Sequence, residues 1–164
     1  MYRKFSPQFI FNGKEFLNST HSLITTEDGV VIDIVNDTDG GEIMPGIITP
    51  GFINCHCHLE LSHLKGKIEK NTGLVNFVQE VMKIREEPAD IKSKAIELAL
   101  EEIYNSGTVA VGDICNTADT IPFKTKNIHW KNFIEVSGFV DSTAKQRFNA
   151  AEEILNLFNE GLLT

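Results

Sequence analysis

His56 and His58 are the two side chains in this sequence whose types and spacing indicate chemistry most directly. Side chains alternate along an extended strand, so the two imidazoles should lie on one face and Cys57 on the other. Two imidazole nitrogens at this spacing can bind one divalent ion, at nitrogen–metal distances of about 2 Å. Such an ion lowers the pKa of a bound water to about 7, which makes hydroxide available at neutral pH. Because two histidines at this spacing also occur by chance without a metal, the surrounding sequence has to decide between the two interpretations.

The first 49 residues are predicted to form a small unit of strands and turns. Asn12-Gly13 separates two short apolar stretches and predicts a hairpin, since both turn positions favour a positive φ. Glu27-Asp28-Gly29 predicts a second hairpin of the same kind. Pro45-Gly46 then precedes a further strand at Ile47-Ile48. We therefore interpret residues 1–49 as a small all-β subdomain.

The pattern changes at residue 50, where short apolar stretches begin to alternate with helical patterns. Residues 52–57 are mostly apolar without alternation, as expected for a parallel strand that is covered on both faces. Further apolar segments predict helices at 74–82, 96–104 and 148–158 and strands at 108–114 and 133–138. Strands and helices in this order predict an α/β fold with a parallel sheet.

The expected ends of these helices are marked by residues with known terminal preferences. Pro88 should end the first helix, and Gly107 should occupy the position after the second. Asp141 and Ser142 are the expected caps of the third helix.

Composition and charge favour a globular protein that acts on small molecules. Of the 164 residues, 41% are apolar and 23% are charged, and the net charge is −8 with no basic run, which argues against a nucleic-acid partner. No apolar stretch approaches the roughly 20 residues that cross a membrane, so a membrane partner is not expected. Three cysteines, two of them one residue apart, favour reduced thiols and a cytoplasmic location.

The sequence around the histidine pair is similar to that of a known enzyme superfamily. Residues 48–62 read ITPGFINCHCHLELS, which resembles the Pro-Gly-Phe-hydrophobic-Asn-x-His-x-His signature of the amidohydrolase superfamily. More narrowly, it resembles the branch with chlorohydrolases, cytosine and guanine deaminases, and aminofutalosine-type deaminases. Residues 26–34 resemble a hairpin in the small β domain of that branch, and residues 107–113 resemble its second barrel strand.

The resemblance implies a fold and a hydrolytic activity. The fold would be a TIM-type (β/α)8 barrel, of which residues 50–164 supply the first three strands after the β subdomain. The activity would be hydrolysis of a non-peptide carbon–nitrogen bond, most narrowly the deamination of a nitrogen heterocycle or nucleoside-like metabolite. His56 and His58 would bind a catalytic Zn2+ or Fe2+. A third histidine on the fifth strand and an aspartate on the eighth complete the site in that family.

The chain does not provide all of the parts that the resemblance requires. Besides the pair, its histidines are His21 in the β subdomain, His63 in a loop that we interpret as surface, and His129 before the third strand. A complete barrel needs about 250 residues. We therefore expect this chain to be the N-terminal part of the enzyme and to be inactive alone. Its strand edges and apolar faces should be uncovered, which favours a homo-oligomer or a partner chain that supplies the rest of the barrel.

Several polar residues near the predicted strand ends have both a functional and a structural interpretation. Glu60 and Ser62 would either contact substrate or lie in a solvated loop. Asp113 and Glu135, the latter placed within the third strand, would either bind substrate or make local hydrogen bonds. For the other three residues the structural role is favoured: Asn54 should orient the strand, and Cys115 and Trp130 should pack.

Two other functions remain open at this stage. The chain could be a catalytically incomplete fragment or binding module that needs a partner chain. It could also be a phosphoesterase of the PHP type, which likewise begins with a His-x-His motif. The β subdomain and the Pro-Gly-Phe approach to the histidines argue against the phosphoesterase.

Overall fold

A computed structural model describes residues 1–124, 127–138 and 140–161. The chain divides into two compact units, residues 1–50 and residues 51–164. The first unit contains five strands: β1 (Tyr2–Phe11), β2 (Phe16–Leu17), β3 (Ser22–Thr26), β4 (Val31–Val35) and β5 (Glu42–Ile48). They form one sheet in the order β2-β1-β3-β4, and β5 pairs with β1 in parallel.

Both predicted hairpins are present, but the first turn has a different geometry. β1 and β2 pair antiparallel, as do β3 and β4. Gly13 has a φ of 95°, whereas Asn12 does not have a positive φ. The Asn12 Oδ1 instead accepts the backbone N–H groups of Lys14 at 2.9 Å and Glu15 at 3.0 Å. The side-chain amide therefore organises a longer turn, which replaces the two-residue turn that the sequence predicted.

The second unit is built on a three-stranded parallel sheet. Its strands are β6 (Phe52–Cys57), β7 (Thr108–Cys115) and β8 (His129–Ile134), in the order β6-β7-β8. Both pairings are parallel, as the alternation of strands and helices predicted. The structure also corrects the bounds predicted for the third strand, which were 133–138. Exposed residues alternate with half-buried ones along β8, and polar residues interrupt its apolar ones, so a search for a continuous apolar run missed the strand.

Three helices lie close to the positions that the apolar periodicity predicted. They are α1 (Leu74–Ile84), α2 (Ala89–Asn105) and α3 (Ala144–Gly161). Gly107 follows the end of α2 with a φ of 76°, as expected for a residue that terminates a helix. Asp141 and Ser142, predicted as the caps of the third helix, form a short 3-10 turn with Thr143, and α3 begins after that turn. Among the described residues, no helix is long and apolar enough to cross a membrane.

Part of the apolar packing in the second unit lies at the turn that follows β6. A 3-10 turn, Leu59–Leu64, follows that strand and packs against α2. Leu59, Leu64 and the α2 residue Ile96 are all buried. This packing fixes the chain just after the histidine pair.

Other apolar surfaces remain uncovered, as the sequence led us to expect. None of the residues of α1 is buried, and Leu74 and Phe77 are 78% and 47% exposed. Phe52 and Ile53 on β6 are 59% and 67% exposed. β6 and β8 are the edge strands of their sheet within the described residues. Uncovered apolar faces and unpaired strand edges both favour association with further chain.

Candidate metal centre

The rings of His56 and His58 face the same side and lie close together. His56 is in β6, and His58 is the first residue after Cys57, where the strand ends. The ring centroids are 5.3 Å apart, and the ring planes meet at 68°. The prediction that the two imidazoles share a face is confirmed. β6 is an edge strand of the sheet among the described residues.

A local irregularity in β6 precedes the second histidine. The register of β6 against β7 shifts between Asn54 and Cys57. The Asn54 Oδ1 accepts the backbone N–H of His56 at 3.1 Å. Asn54 therefore shapes the strand, in agreement with the orienting role that the sequence favoured.

The two imidazoles provide part of a donor set for a metal ion. The His58 Nδ1 is buried and has no hydrogen-bond partner among the described residues. A buried polar atom without a hydrogen-bond partner destabilises the fold by about 1–3 kcal/mol, so a metal ion bound at this nitrogen would remove that destabilisation. The pair therefore fits a divalent ion. No group of three or more His, Cys, Asp or Glu side chains that could hold an ion occurs in the described part of the chain.

The remaining histidines do not join the pair. His63 is buried, and its Nε2 lies 3.0 Å from the backbone oxygen of Arg85, so its interpretation as a surface residue is wrong. The His21 ring contacts the side chains of Asn18 and Thr20. His129 is the first residue of β8, at the opposite end of the sheet from the histidine pair.

Asp113 is fully buried and holds the backbone that follows His58. Its Oδ1 accepts the N–H of Leu59 at 2.9 Å, and its Oδ2 pairs with the Lys124 ammonium at 2.7 Å. Both carboxylate oxygens are therefore engaged by the protein. Of the two roles considered for Asp113, the structure favours hydrogen bonding over substrate contact.

Glu60 is also buried, with 4% of its surface exposed, so its interpretation as a solvated loop residue is wrong. Its Oε2 accepts the N–H groups of Asn116 at 2.9 Å and Thr117 at 2.7 Å, and the Thr117 hydroxyl at 3.0 Å. Its Oε1 lies 3.5 Å from the Arg85 guanidinium. Ser62 has a more local role, since its hydroxyl donates to the Leu59 carbonyl at 2.7 Å.

Glu135 lies one residue after the end of β8, and not within the strand as predicted. Its N–H donates to the Cys115 carbonyl at 3.0 Å, which continues the pairing with β7. Its exposed carboxylate accepts the side-chain N–H of Asn116 at 2.8 Å. Glu60 and Glu135 therefore meet at the same loop after β7, and the segments that follow all three parallel strands are joined.

Cys57 and Cys115 are held as neutral thiols. Burial, followed by the negative charge of Asp113, raises the pKa of Cys57 to about 11 and that of Cys115 to about 12. Cys57 therefore lies on the Asp113 side of the strand, whereas His56 is exposed. Because a thiolate is needed for nucleophilic attack or metal binding, the packing role predicted for Cys115 agrees with its environment.

A prediction follows from the buried contacts of Glu60. Glu60→Ala should lower the free energy of unfolding by about 2–3 kcal/mol, because two backbone N–H groups lose a charged acceptor. Urea denaturation measures the change. Glu86→Ala is the matched control, since its carboxylate is 83% exposed and pairs only at 3.7 and 3.8 Å. Equal stability of the two variants would show that the Glu60 contacts do not hold the loop.

Comparison with known proteins identifies the family of the chain. The model of the amidohydrolase family matches residues 47–163, which include the histidine pair and the whole parallel sheet. The chain belongs to the amidohydrolase family. No curated protein sequence matches it.

Solved structures of this family have a similar fold. A guanine deaminase from C. acetobutylicum with bound guanine superposes with a TM-score of 0.65 at 15% identity, over 95% of this chain and 42% of that one. A Xaa-Pro dipeptidase gives a TM-score of 0.53 at 12% identity, over 87% of this chain and 36% of that one. At these identities the likeness concerns the fold alone. The chain spans less than half the length of either protein.

Proposed function

We propose that this chain is the N-terminal part of a metal-dependent hydrolase that cleaves a non-peptide carbon–nitrogen bond. One observation carries the proposal: two imidazoles with centroids 5.3 Å apart end the first strand of a parallel sheet, in a member of the amidohydrolase family. His56 and His58 would hold a Zn2+ or Fe2+ ion, since imidazole suits both metals. When bound, such an ion lowers the pKa of water enough to supply a nucleophile near neutral pH.

The fold that we propose for the complete enzyme is a (β/α)8 barrel. β6, β7 and β8 are consecutive and parallel, as the first three strands of such a barrel are. Active sites in barrels of this type lie at the C-terminal ends of the strands, which is where His56 and His58 lie. The first 49 residues would then be the small β subdomain that precedes the barrel.

The narrower proposal is the deamination of a nitrogen heterocycle or nucleoside-like metabolite in the cytoplasm. It is supported by the resemblance of residues 56–62, HCHLELS, to deaminases of this superfamily. Glu60 and Glu135 are the substrate contacts proposed from this chain. The exposed carboxylate of Glu135 is the more accessible of the two, because one Glu60 oxygen already accepts three hydrogen bonds.

An incomplete module that needs a partner chain is the second candidate, and one observation favours it. The apolar residues of α1 are uncovered, and β6 has an unpaired edge among the described residues. A chain that supplies the remaining strands and the missing ligands would cover both surfaces. The two candidates share the metal pair and differ in the source of the other ligands.

Metal binding by the histidine pair tests the proposed function. Calorimetric titration of the purified chain with Zn2+ should show one equivalent bound. His56→Ala and His58→Ala should each weaken binding at least about tenfold, because loss of a direct ligand should cost no less than loss of an outer-shell partner.

Two controls separate this site from adventitious binding. His21→Ala removes a histidine of the β subdomain, and Cys55→Ser removes an exposed thiol next to the pair. Neither substitution should change the affinity. Zn2+ binding that is unaffected by loss of His56 or His58 would overturn the proposed function.

A further inference from the structure

The hydrogen-bond ladder of the sheet stops just before the second histidine. β6 ends at Cys57, whose partner in the register is Asp113. His58 has φ −122° and ψ 75°, and its carbonyl accepts the N–H of Leu61 at 2.9 Å as the 3-10 turn begins. The direction of the His58 side chain therefore depends on what fixes the backbone immediately after it.

The Asp113 carboxylate makes that contact. The Leu59 N–H follows His58 directly and donates to the Asp113 Oδ1 at 2.9 Å. Both Leu59 and Asp113 are 0% exposed, so water does not compete for the bond. A charged acceptor gives a hydrogen bond roughly twice as strong as a neutral one.

The carboxylate is itself held in place by Lys124. The Lys124 ammonium pairs with the Asp113 Oδ2 at 2.7 Å, and its side chain is 2% exposed. The same ammonium donates to the Asn132 side chain on β8. It also lies 5.0 Å from the ring centroid of Trp130 and 4.7 Å from that of Phe158 on α3. Groups on β8 and α3 therefore contact the ammonium that pairs with a carboxylate on β7.

A second buried carboxylate connects the same two segments, but here the acceptor lies in the turn after β6 and the donors lie after β7. Glu60 follows Leu59 in the 3-10 turn and accepts the N–H groups of Asn116 and Thr117 after β7. Asp113 on β7 accepts from the turn after β6, and Glu60 in that turn accepts from the loop after β7. This exchange restrains the segment that carries His58 at two successive residues.

We propose that Asp113 is a positioning residue for His58, and that Lys124 orients its carboxylate. The proposal rests on the proposed function, in which His58 is a metal ligand. Two imidazoles bind one ion tightly only if both are held in the geometry that the ion requires, and outer contacts of this kind commonly change metal affinity 10- to 100-fold. The Asp113 bond to Leu59 supplies this restraint where the strand ladder ends.

A matched pair of double variants isolates the hydrogen bond from the buried charge. Asp113→Asn with Lys124→Met keeps an acceptor for the Leu59 N–H, whereas Asp113→Leu with Lys124→Met removes it. Both double variants eliminate the same two charges. The double variant with asparagine should bind Zn2+ within about threefold of the wild-type affinity. The double variant with leucine should bind Zn2+ at least about tenfold more weakly than the wild type.

Two further measurements distinguish positioning from a general loss of structure. In the absence of metal, hydrogen exchange of the Leu59 amide should remain slow in the double variant with asparagine. It should become at least about tenfold faster in the double variant with leucine, because only that variant lacks the acceptor. Ile128→Ala creates a cavity at the N-terminal end of β8, away from the pair. It should lower stability without changing Zn2+ affinity.

The outcomes separate this inference from the proposed function. Equal Zn2+ affinity of the two double variants would overturn the positioning role while leaving His56 and His58 as ligands. A Zn2+ affinity lowered equally by Ile128→Ala would also overturn it, since the effect would then follow stability. Wild-type protein that binds no Zn2+ would overturn both proposals, because there would be no ligand to position.

Discussion

Lys124→Met is expected to lower the free energy of unfolding by about 3–5 kcal/mol, because it leaves a buried carboxylate without its counterion. The Lys124 and Asp113 side chains are 2% and 0% exposed, and the ammonium lies 2.7 Å from the carboxylate. Methionine fills much of the same volume, so most of the loss reflects charge rather than a cavity. The contacts of the ammonium with the Trp130 and Phe158 rings are lost as well.

Urea denaturation of the full chain measures this effect. Lys94→Met is the matched control: the Lys94 ammonium lies 3.6 Å from Glu97, and the two side chains are 70% and 54% exposed. Its effect should stay within about 0.5 kcal/mol. Addition of Asp113→Asn to Lys124→Met should recover part of the loss, since it removes the unpaired charge. If Lys124→Met were no more destabilising than Lys94→Met, the buried pair would not stabilise the fold.

The sequence predicted those features that depend on local periodicity. The apolar stripes gave all three helices, and both hairpins formed where a glycine supplies a positive φ. The two-residue spacing of His56 and His58 placed their rings on one side, because a strand alternates whatever its neighbours are. Each of these features is determined by residues within about two turns or one strand of each other.

Other features were missed because they depend on contacts distant in sequence. Glu60 appears as a solvated residue until the loop at Asn116 and Thr117 is folded against it. Lys124 lies in a polar stretch after β7, and only its pairing with Asp113 explains its burial. His63 was assigned to the surface for the same reason, since its partner, the Arg85 carbonyl, is 22 residues away. Polar residues are buried in pairs, and a single sequence does not show the pairing.

The misplaced third strand has a related cause. β8 contains His129, Lys131 and Asn132, which a search for apolar runs rejects. Its position is fixed by parallel pairing with β7, from Ala110 with His129 to Cys115 with Ile134. One face of β8 is exposed within the described chain, so the alternation of a half-covered strand replaces the continuous apolar run of a fully covered one.

The candidate site is held more firmly than the ends of an open three-stranded sheet would suggest. Glu60, Asp113 and Glu135 join the segments after β6, β7 and β8. Two of these carboxylates, Glu60 and Asp113, are buried, and each accepts at least one backbone N–H group, which cannot rotate away as a side chain can. The strand ends can therefore keep their arrangement while the apolar faces elsewhere in the unit remain uncovered.

The purified 164-residue chain is expected to show no measurable turnover of amino-substituted heterocycles, even when supplied with Zn2+. Catalytic zinc sites commonly use three protein ligands, and only two imidazoles come together in the described residues. A general acid–base group near the metal contributes a further factor of about 100 to 10,000. Asp113 does not serve this purpose, because Leu59 and Lys124 engage both of its carboxylate oxygens.

The assay should follow ammonia release from a panel of purines, pyrimidines and nucleosides. The same preparation should bind Zn2+ through His56 and His58, so that inactivity is not confused with an unfolded sample. Turnover above background that His56→Ala abolishes would contradict the prediction, since it would show that the chain completes its own site. Turnover that His56→Ala leaves unchanged would instead identify a contaminating enzyme, because the variant lacks a proposed metal ligand. The expected result is metal binding through His56 and His58 without turnover.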